Sequence, residues 1–283
     1  MLNKPLISVV MSTLNPNEYE LKRAVQSIID QSYDAWELLL YDDGSKSDDS
    51  EKIKALADSD TRISYIPGKN TSGLAAGLNI CLNHARGKHI ARMDDDDISL
   101  PERFKCQVQF LEEHPEYHWV GTLADLFDEN GIWGRADRPS APTKEDFLHS
   151  SPFIHPSVMF RREVLMAVGG YQVSRETSRC EDYELFMRLY SQGYQGYNIQ
   201  KPLLLYQESG QLLKRSWRYS YYEMLVRWRG FRKLKILTFR TFPRVFKPLA
   251  VRLAAMMPRV AQRVRTNRSK GDHIAGRKSD RKE

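Results

Sequence analysis

"LISVVMSTLNPNEYELKRAVQSIIDQSYDAWELLLYDDGS", residues 6–45, decides the fold. It opens with "LISVVMST" (6–13), a continuous apolar and β-branched run of the kind buried on both faces of a parallel sheet. Leu21, Ala24, Val25, Ile28 and Ile29 then recur at helical spacing, a stripe suited to cover such a sheet. A second apolar strand, "WELLLYDD" (36–43), follows directly. Strand, helix and strand in this order predict a parallel pair joined by a right-handed crossover.

The same alternation carries on downstream. A helix is predicted over "DDSEKIKALAD" (48–58), a strand over "RISYIP" (62–67), a helix over "GLAAGLNICLNHAR" (73–86) and a strand over "KHIARMD" (88–94). Repeated βα units place the chain in the α/β class, with an open, mostly parallel sheet flanked by helices. Ligands of such sheets bind beyond the carboxyl ends of the strands. Those ends carry Ser12 in "STLN" (12–15) and Asp42 and Asp43 in "DDGS" (42–45), and a helix start near Gly73 offers backbone donors to phosphate. The bland readings are an ordinary Asp-Gly turn and a plain helix-start glycine.

The fourth strand runs into four aspartates, Asp94 to Asp97. Adjacent carboxylates drive one another's pKa upward unless a cation or strong donors hold them ionised, and a divalent metal is the simplest resolution. Alternatively the run is a solvated loop that begins the helix "LPERFKCQVQFLEEH" (100–114), with Asp97 or Ser99 as N-cap and Pro101 in its first turn. Farther on, "RCEDYELFMRLYSQG" (179–193) reads as an amphipathic helix opened by Glu181 and Asp182. Acidic residues there are what a helix dipole favours in a first turn.

Charge divides the 283-residue chain. Residues 211–283 hold 21 Lys and Arg against 4 Asp and Glu, whereas residues 1–210 hold 22 against 32, within an overall +7. A basic tail on an acidic body seeks phosphate, on lipid, nucleic acid or a polyanionic glycan. No recognised nucleic-acid-binding motif accompanies it, so no nucleic acid partner is expected. Cys81, Cys106 and Cys180 lie far apart without a CxxC pair, which suggests neither a disulfide framework nor a zinc site. The start "MLNKPLISVVMST" does not read as a signal peptide, and the apolar stretch "PLAVRLAAMMP" is too short and too broken to span a bilayer. A cytoplasmic protein is expected.

Six segments together resemble the family 2 glycosyltransferases with the GT-A fold. They are "ISVVMSTLN", "WELLLYDDGS", "NTSGLAAGLN", "ARMDDDDISLPER", "HPSVMFRREVLMAVGGY" and "EDYELFMRL", in register over about residues 5–210. The resemblance implies inverting transfer of one sugar from a nucleotide diphosphate sugar, usually a UDP-sugar, with Mn²⁺ or Mg²⁺. By position it puts Asp43 on the uracil edge with Asp42 shaping the turn, and makes Asp94 and Asp96 the DxD element. Asp96 would coordinate the metal; Asp94 would serve the ribose or the metal, with Asp95 or Asp97 in support. Asp182 would be the base that deprotonates the acceptor hydroxyl. His155 would lie near the acceptor or metal, or serve only a structural hydrogen bond. Leu14 stands where many relatives carry an aromatic residue. "YQESGQ" (206–211) stands where many carry a histidine, with Gln207 or Glu208 as possible substitutes. The absence of a QxxRW motif argues against a processive synthase. A sugar-phosphate nucleotidyltransferase would need a Gly-rich basic loop after the first strand, which "STLNPNEYE" lacks; a catalytically idle assembly partner would not need both the aspartate run and Asp182.

The expected organisation is a catalytic domain over 1–210, a basic amphipathic helical extension over 211–265 and a disordered end over 266–283. In the extension Trp217, Tyr221, Leu225, Trp228, Phe231 and Leu234 fall at steps of three or four. Interleaved cations make this stripe a candidate for an anionic membrane surface, where a lipid-linked glycan acceptor would be found, with the protein peripheral on the inner face of the plasma membrane. The alternative is that the stripe packs on the catalytic body.

Overall fold

The computed structural model describes residues 4–208 and 216–255. The expected boundaries at 210 and 265, and the segment 266–283, lie outside the described residues. Four strands, β1 (Ile7–Thr13), β2 (Trp36–Asp42), β3 (Ile63–Pro67) and β4 (His89–Arg92), run parallel in the order β3-β2-β1-β4. They alternate with α1 (Glu18–Ile29), α2 (Ser47–Ala57) and α3 (Leu74–His84). These bounds follow the apolar runs within a residue or two. Asn17 starts α1 by accepting from the backbone N–H groups of Tyr19 and Glu20.

The sheet then turns mixed. After β5 (Ile98–Ser99) and α4 (Arg103–Glu113) come β6 (Trp119–Asp128), β7 (Gly131–Ala136), β8 (Met159–Arg161), α5 (Arg162–Ala167), α6 (Glu181–Ser191) and β9 (Gly196–Gln207). β8 is antiparallel to both β4 and β6, β6 is parallel to β9, and β5 is antiparallel to β9 at the far edge. The helix expected to begin at Asp97 or Ser99 begins instead at Arg103. Ile98 and Ser99 pair with Leu205 and Leu204, and Leu100 N–H donates to the Leu203 carbonyl at 3.0 Å, so their backbone groups are satisfied by β9 rather than by a helical turn.

Strand alternation produces two cores. Ile7, Val9 and Met11 face α1, α2 and α4, among Leu21, Ile28, Ile53, Phe104 and Leu111. Val10, Leu39, Ile90 and Phe160 face the opposite layer, built from Leu78 and Cys81 of α3 and Leu185, Phe186 and Leu189 of α6. Phe186 packs among Trp119, Phe153 and Phe160 with ring centroids 4.8–6.0 Å apart, which seats α6 against the centre of the sheet.

The basic extension continues this second layer. α7 (Trp217–Lys233) puts Val226 and Phe231 into the core beside α6, and α8 (Lys247–Ala255) returns against α7. Arg227 is buried too, donating to Glu223 and to the carbonyls of Leu148 and His149 with its guanidinium over the Tyr183 ring. The stripe noted in the sequence is therefore split. Phe231 and Leu234 are buried, whereas Trp217 and Tyr221 remain exposed. Among the described residues no helix is long and apolar enough to cross a membrane.

Candidate active site

The carboxyl ends of β1 and β2 are tied into one cradle. Asp42 accepts from Ser45 N–H at 2.8 Å, from Ser50 Oγ and from the Tyr65 hydroxyl at 3.0 Å. Burial opposes its ionisation, but these donors prevail and hold the carboxyl below its ordinary value. Asp43 closes the α3 end. Its Oδ1 accepts from Ser72 N–H and Oγ at 2.7 and 2.6 Å, and its Oδ2 accepts from Gly73 N–H at 2.8 Å. Gly73, at φ +90°, is the N-cap of α3, so the backbone donor expected to face phosphate is taken by Asp43. A carboxylate has about four lone-pair positions, and three donors leave one open on Asp43 Oδ2.

Asn15, at φ +46°, bridges the two loops. Its N–H donates to Ser45 Oγ and its Oδ1 accepts from Lys46 N–H, both at 2.9 Å. Leu14 beside it is 41% exposed. Ser12 turns toward α3, where a side chain at Gly77 would run into its hydroxyl.

Behind β4 the four aspartates adopt four different environments. Asp94 forms an ion pair with Arg92, and Asp95 accepts from the Thr13 hydroxyl. Burial raises the Asp95 carboxyl; burial and the neighbouring Asp94 and Asp95 push Asp96 up to about 7. Asp97 is fully buried, its Oδ1 accepting from Gln207 N–H at 2.8 Å while its Oδ2 has no partner among the described residues. Its carboxyl lies well above the usual range through burial and the charges of Asp94 and Asp96. Oxygens of Asp94, Asp96 and Asp97 lie within 4.8 Å of one another. Three converging hard ligands, one with an unpartnered buried oxygen, fit Mg²⁺ or Mn²⁺, which complete their shells with water and substrate phosphate. The sequence pairs Asp94 with Asp96; the tertiary structure adds Asp97.

A bracket from the first helix steadies this loop. Arg23 Nη2 donates to the Asp96 carbonyl at 3.1 Å and to Gln207 Oε1 at 2.6 Å, and Gln207 Nε2 donates to Glu20. The Gln207 amide is thus engaged on both sides and is turned to α1. Arg23 carries no signal in the sequence, where it reads as a surface cation of an amphipathic helix.

The start of α6 shares a neighbour with the aspartates: Asp182, Glu181 and Asp94 all act on the buried Tyr171. Asp182 is partly exposed; Glu181 is nearly buried, and burial with the charge of Asp182 pushes its carboxyl up to about 7. His155 is not among the clustered carboxylates. Its Nε2 hydrogen-bonds the Tyr171 hydroxyl at 2.8 Å, and burial together with Arg92 keeps its pKa well below the ordinary imidazole value. The Tyr171 backbone is clamped by the Asn79 side chain through two 2.8 Å bonds, and a side chain at Gly170 would collide with that amide. This requirement accounts for Gly170, whereas Gly169 meets no neighbour and is favoured by its left-handed backbone, φ +74°.

The sequence profile of Glycosyl transferase family 2 matches residues 8–169. Along nearly its whole length the chain is similar to EpsE of Bacillus subtilis, at 38% identity over 276 residues, 96% of this chain and 98% of EpsE. The chain belongs to glycosyl transferase family 2. Further relatives are the amylovoran biosynthesis glycosyltransferase AmsE of Erwinia amylovora, 31% identical over 76% of this chain and 81% of AmsE, and an Escherichia coli enzyme. The latter is the UDP-Gal:alpha-D-GlcNAc-diphosphoundecaprenol beta-1,3-galactosyltransferase, 29% identical over 75% of this chain and 77% of its own length. Two solved structures share the fold. TarS of S. aureus, residues 1–349 in complex with UDP-GlcNAc, superposes with a TM-score of 0.65 at 15% identity, covering 90% of this chain and 82% of that one. The mannosyltransferase PcManGT of Pyrobaculum calidifontis, in complex with GDP-Man and Mn²⁺, gives 0.63 at 16% identity over 95% and 81%.

The α/β body of this family 2 glycosyltransferase is therefore a GT-A fold. The matched span holds the Asp42–Asp43 cradle and the aspartate loop; α6, with Glu181 and Asp182, lies beyond it. Packing of Phe186 on Trp119 and Phe160, together with the pairing of β9 with β6, joins the two halves.

Proposed function

We propose that this glycosyltransferase moves one sugar, a hexose or N-acetylhexosamine, from a nucleotide diphosphate sugar to a hydroxyl of a lipid-linked glycan, with inversion, during cell-surface polysaccharide synthesis. One observation carries the reading: Asp94, whose carboxylate converges with those of Asp96 and Asp97, and the acidic pair Glu181 and Asp182 at the start of α6 all act on one buried side chain, Tyr171, and a buried oxygen of Asp97 has no partner among the described residues. Asp94, Asp96 and Asp97 would hold Mg²⁺ or Mn²⁺, which when bound supplies charge stabilisation to the departing diphosphate. Asp43, through its open lone pair, accepts from the base, and Ser12, Asp42, Gly73 and Asp95 shape the nucleotide cradle. Asp182 takes the proton of the acceptor hydroxyl as it attacks the anomeric carbon.

The names of the relatives support the substrate classes. AmsE is named for amylovoran biosynthesis, and the E. coli relative for a diphosphoundecaprenol-linked acceptor and a UDP-sugar. The two fold neighbours were captured with a UDP-sugar and with a GDP-sugar plus Mn²⁺. UDP is our choice of donor nucleotide. A lipid-linked acceptor calls for docking on the inner face of the plasma membrane, and Phe239, Phe242 and Phe246, among the cations Lys235, Arg240, Arg244 and Lys247, supply exposed aromatic groups for it.

The test is a panel of nucleotide sugars with Mn²⁺, scored for nucleotide release and for thermal stabilisation of the protein. A response confined to one donor supports the reading. Stabilisation by none, with no release in the presence of undecaprenyl-diphosphate-linked acceptors, would sink it.

A further inference from the structure

In an inverting transfer the migrating sugar lies between the groups that carry the leaving diphosphate and the base that takes the acceptor's proton. Here those flanks are the Asp94, Asp96 and Asp97 group and the start of α6. One buried side chain answers to both. Arg92, the last residue of β4, is 2% exposed and pairs with Asp94. Its charge acts on Asp97 on the metal side and on His155, Tyr171 and Glu181 on the α6 side. Its Nε has no hydrogen-bond partner among the described residues, and Nη1 is taken up by the ion pair with Asp94. A guanidinium is a rigid fork of five donors that stays protonated, and buried donors without acceptors are rare in folded proteins outside functional sites.

We propose that Arg92 is a specificity-determining residue whose guanidinium, seated beside Asp94, donates hydrogen bonds to oxygens of the transferred sugar, its hydroxyls or an N-acyl carbonyl. The proposal rests on the glycosyl-transfer reading above. It explains why a permanent cation sits at the end of a fully buried strand, "HIAR", with donors left over after its pairing with Asp94. A guanidinium that only positioned Asp94 would affect metal and nucleotide; one that reads the sugar would affect the sugar alone. A hydrogen bond to a charged donor contributes roughly 10- to 100-fold in affinity.

The experiment is calorimetry with Mn²⁺ on full-length wild type and Arg92→Met, using the nucleotide sugar selected by the donor panel and its parent nucleoside diphosphate. The variant is expected to bind the nucleoside diphosphate within about threefold of wild type while its affinity for the nucleotide sugar falls about 10- to 100-fold. Because Arg92→Met leaves Asp94 without its partner and can fail to fold, wild type is also titrated with deoxy forms of the same nucleotide sugar. One of them should lose that same factor. Equal loss of nucleotide and nucleotide sugar in the variant would reduce Arg92 to a positioning residue for Asp94. Wild type that tolerates every deoxy form would overturn the proposal without any variant. Absence of nucleotide binding by wild type would instead strike the glycosyl-transfer reading itself.

Discussion

The backbone N–H of Gln207 donates to Oδ1 of Asp97 at 2.8 Å, joining the last residue of β9 to the aspartate loop across 110 positions of chain. Arg23 locks the same junction by reaching both Gln207 Oε1 and the Asp96 carbonyl. Groups that orient metal ligands without touching the metal typically account for 10- to 100-fold in metal affinity. Arg23→Met should therefore weaken Mn²⁺-dependent UDP binding by about that factor, whereas Asp96→Ala should abolish it. Titration calorimetry separates the two; unchanged affinity in a folded Asp96→Ala protein would remove Asp96 from the metal site.

Metal-free stability should carry the mark of the crowded aspartates. The Asp96 carboxyl rises from an ordinary 3.8 to about 7 in the folded protein, so the folded state binds the extra proton between those values. Stability from this group is full below the unfolded pKa and is lost as pH rises through about 7. The buried imidazoles His89 and His155 act in the opposite sense over part of the same range, which makes a difference measurement necessary. Asp96→Asn should melt several degrees above wild type at pH 8, with the advantage shrinking toward pH 5. Saturating Mn²⁺ should reverse the order at pH 8.

Asp182→Asn is expected to leave nucleotide and metal affinity intact and to lower turnover by ~10²-fold or more, the usual scale for a positioned base. The product anomer offers a second check, since an α-linked donor should yield a β-linked product by NMR. Near-normal turnover in the variant, or a retained configuration, would assign the chemistry elsewhere.

The two faces of the C-terminal helices should respond oppositely. Phe231→Ala, on the inner face of α7, empties a fully buried site and should destabilise the protein by about 3–5 kcal/mol. Phe239 is 98% exposed and Phe242, packed on Trp228, 42%, so Phe239→Ser with Phe242→Ser should lower the melting temperature far less than Phe231→Ala. The paired substitution should nevertheless reduce co-sedimentation with anionic liposomes at low salt. Equal sedimentation of wild type and variant, or equal binding to neutral and anionic vesicles, would end the membrane reading.

The sequence by itself determined what short-range periodicity can encode. The apolar runs at 6–13 and 36–43 and the helical stripe of Leu21, Ala24, Val25 and Ile28 mark buried strands and their covering helix, because each pattern is a local consequence of two-sided or one-sided burial. The placement of Asp42, Asp43 and Asp94–Asp97 at strand ends follows from the same pattern, since in an α/β sheet those ends share one edge. Only the tertiary structure decided which of these carboxylates converge. Asp97 joins Asp94 and Asp96 because β9 presents Gln207 to it and draws Ile98 and Ser99 into a strand, a long-range pairing that leaves no period in the sequence. Arg92 and Arg23 read as ordinary cations until the fold buries one behind Asp94 and stretches the other from α1 to β9. The stripe on α7 is amphipathic in either setting, membrane or protein; contact with α6 is what takes Val226 and Phe231 into the core and leaves the aromatic residues beyond them facing outward.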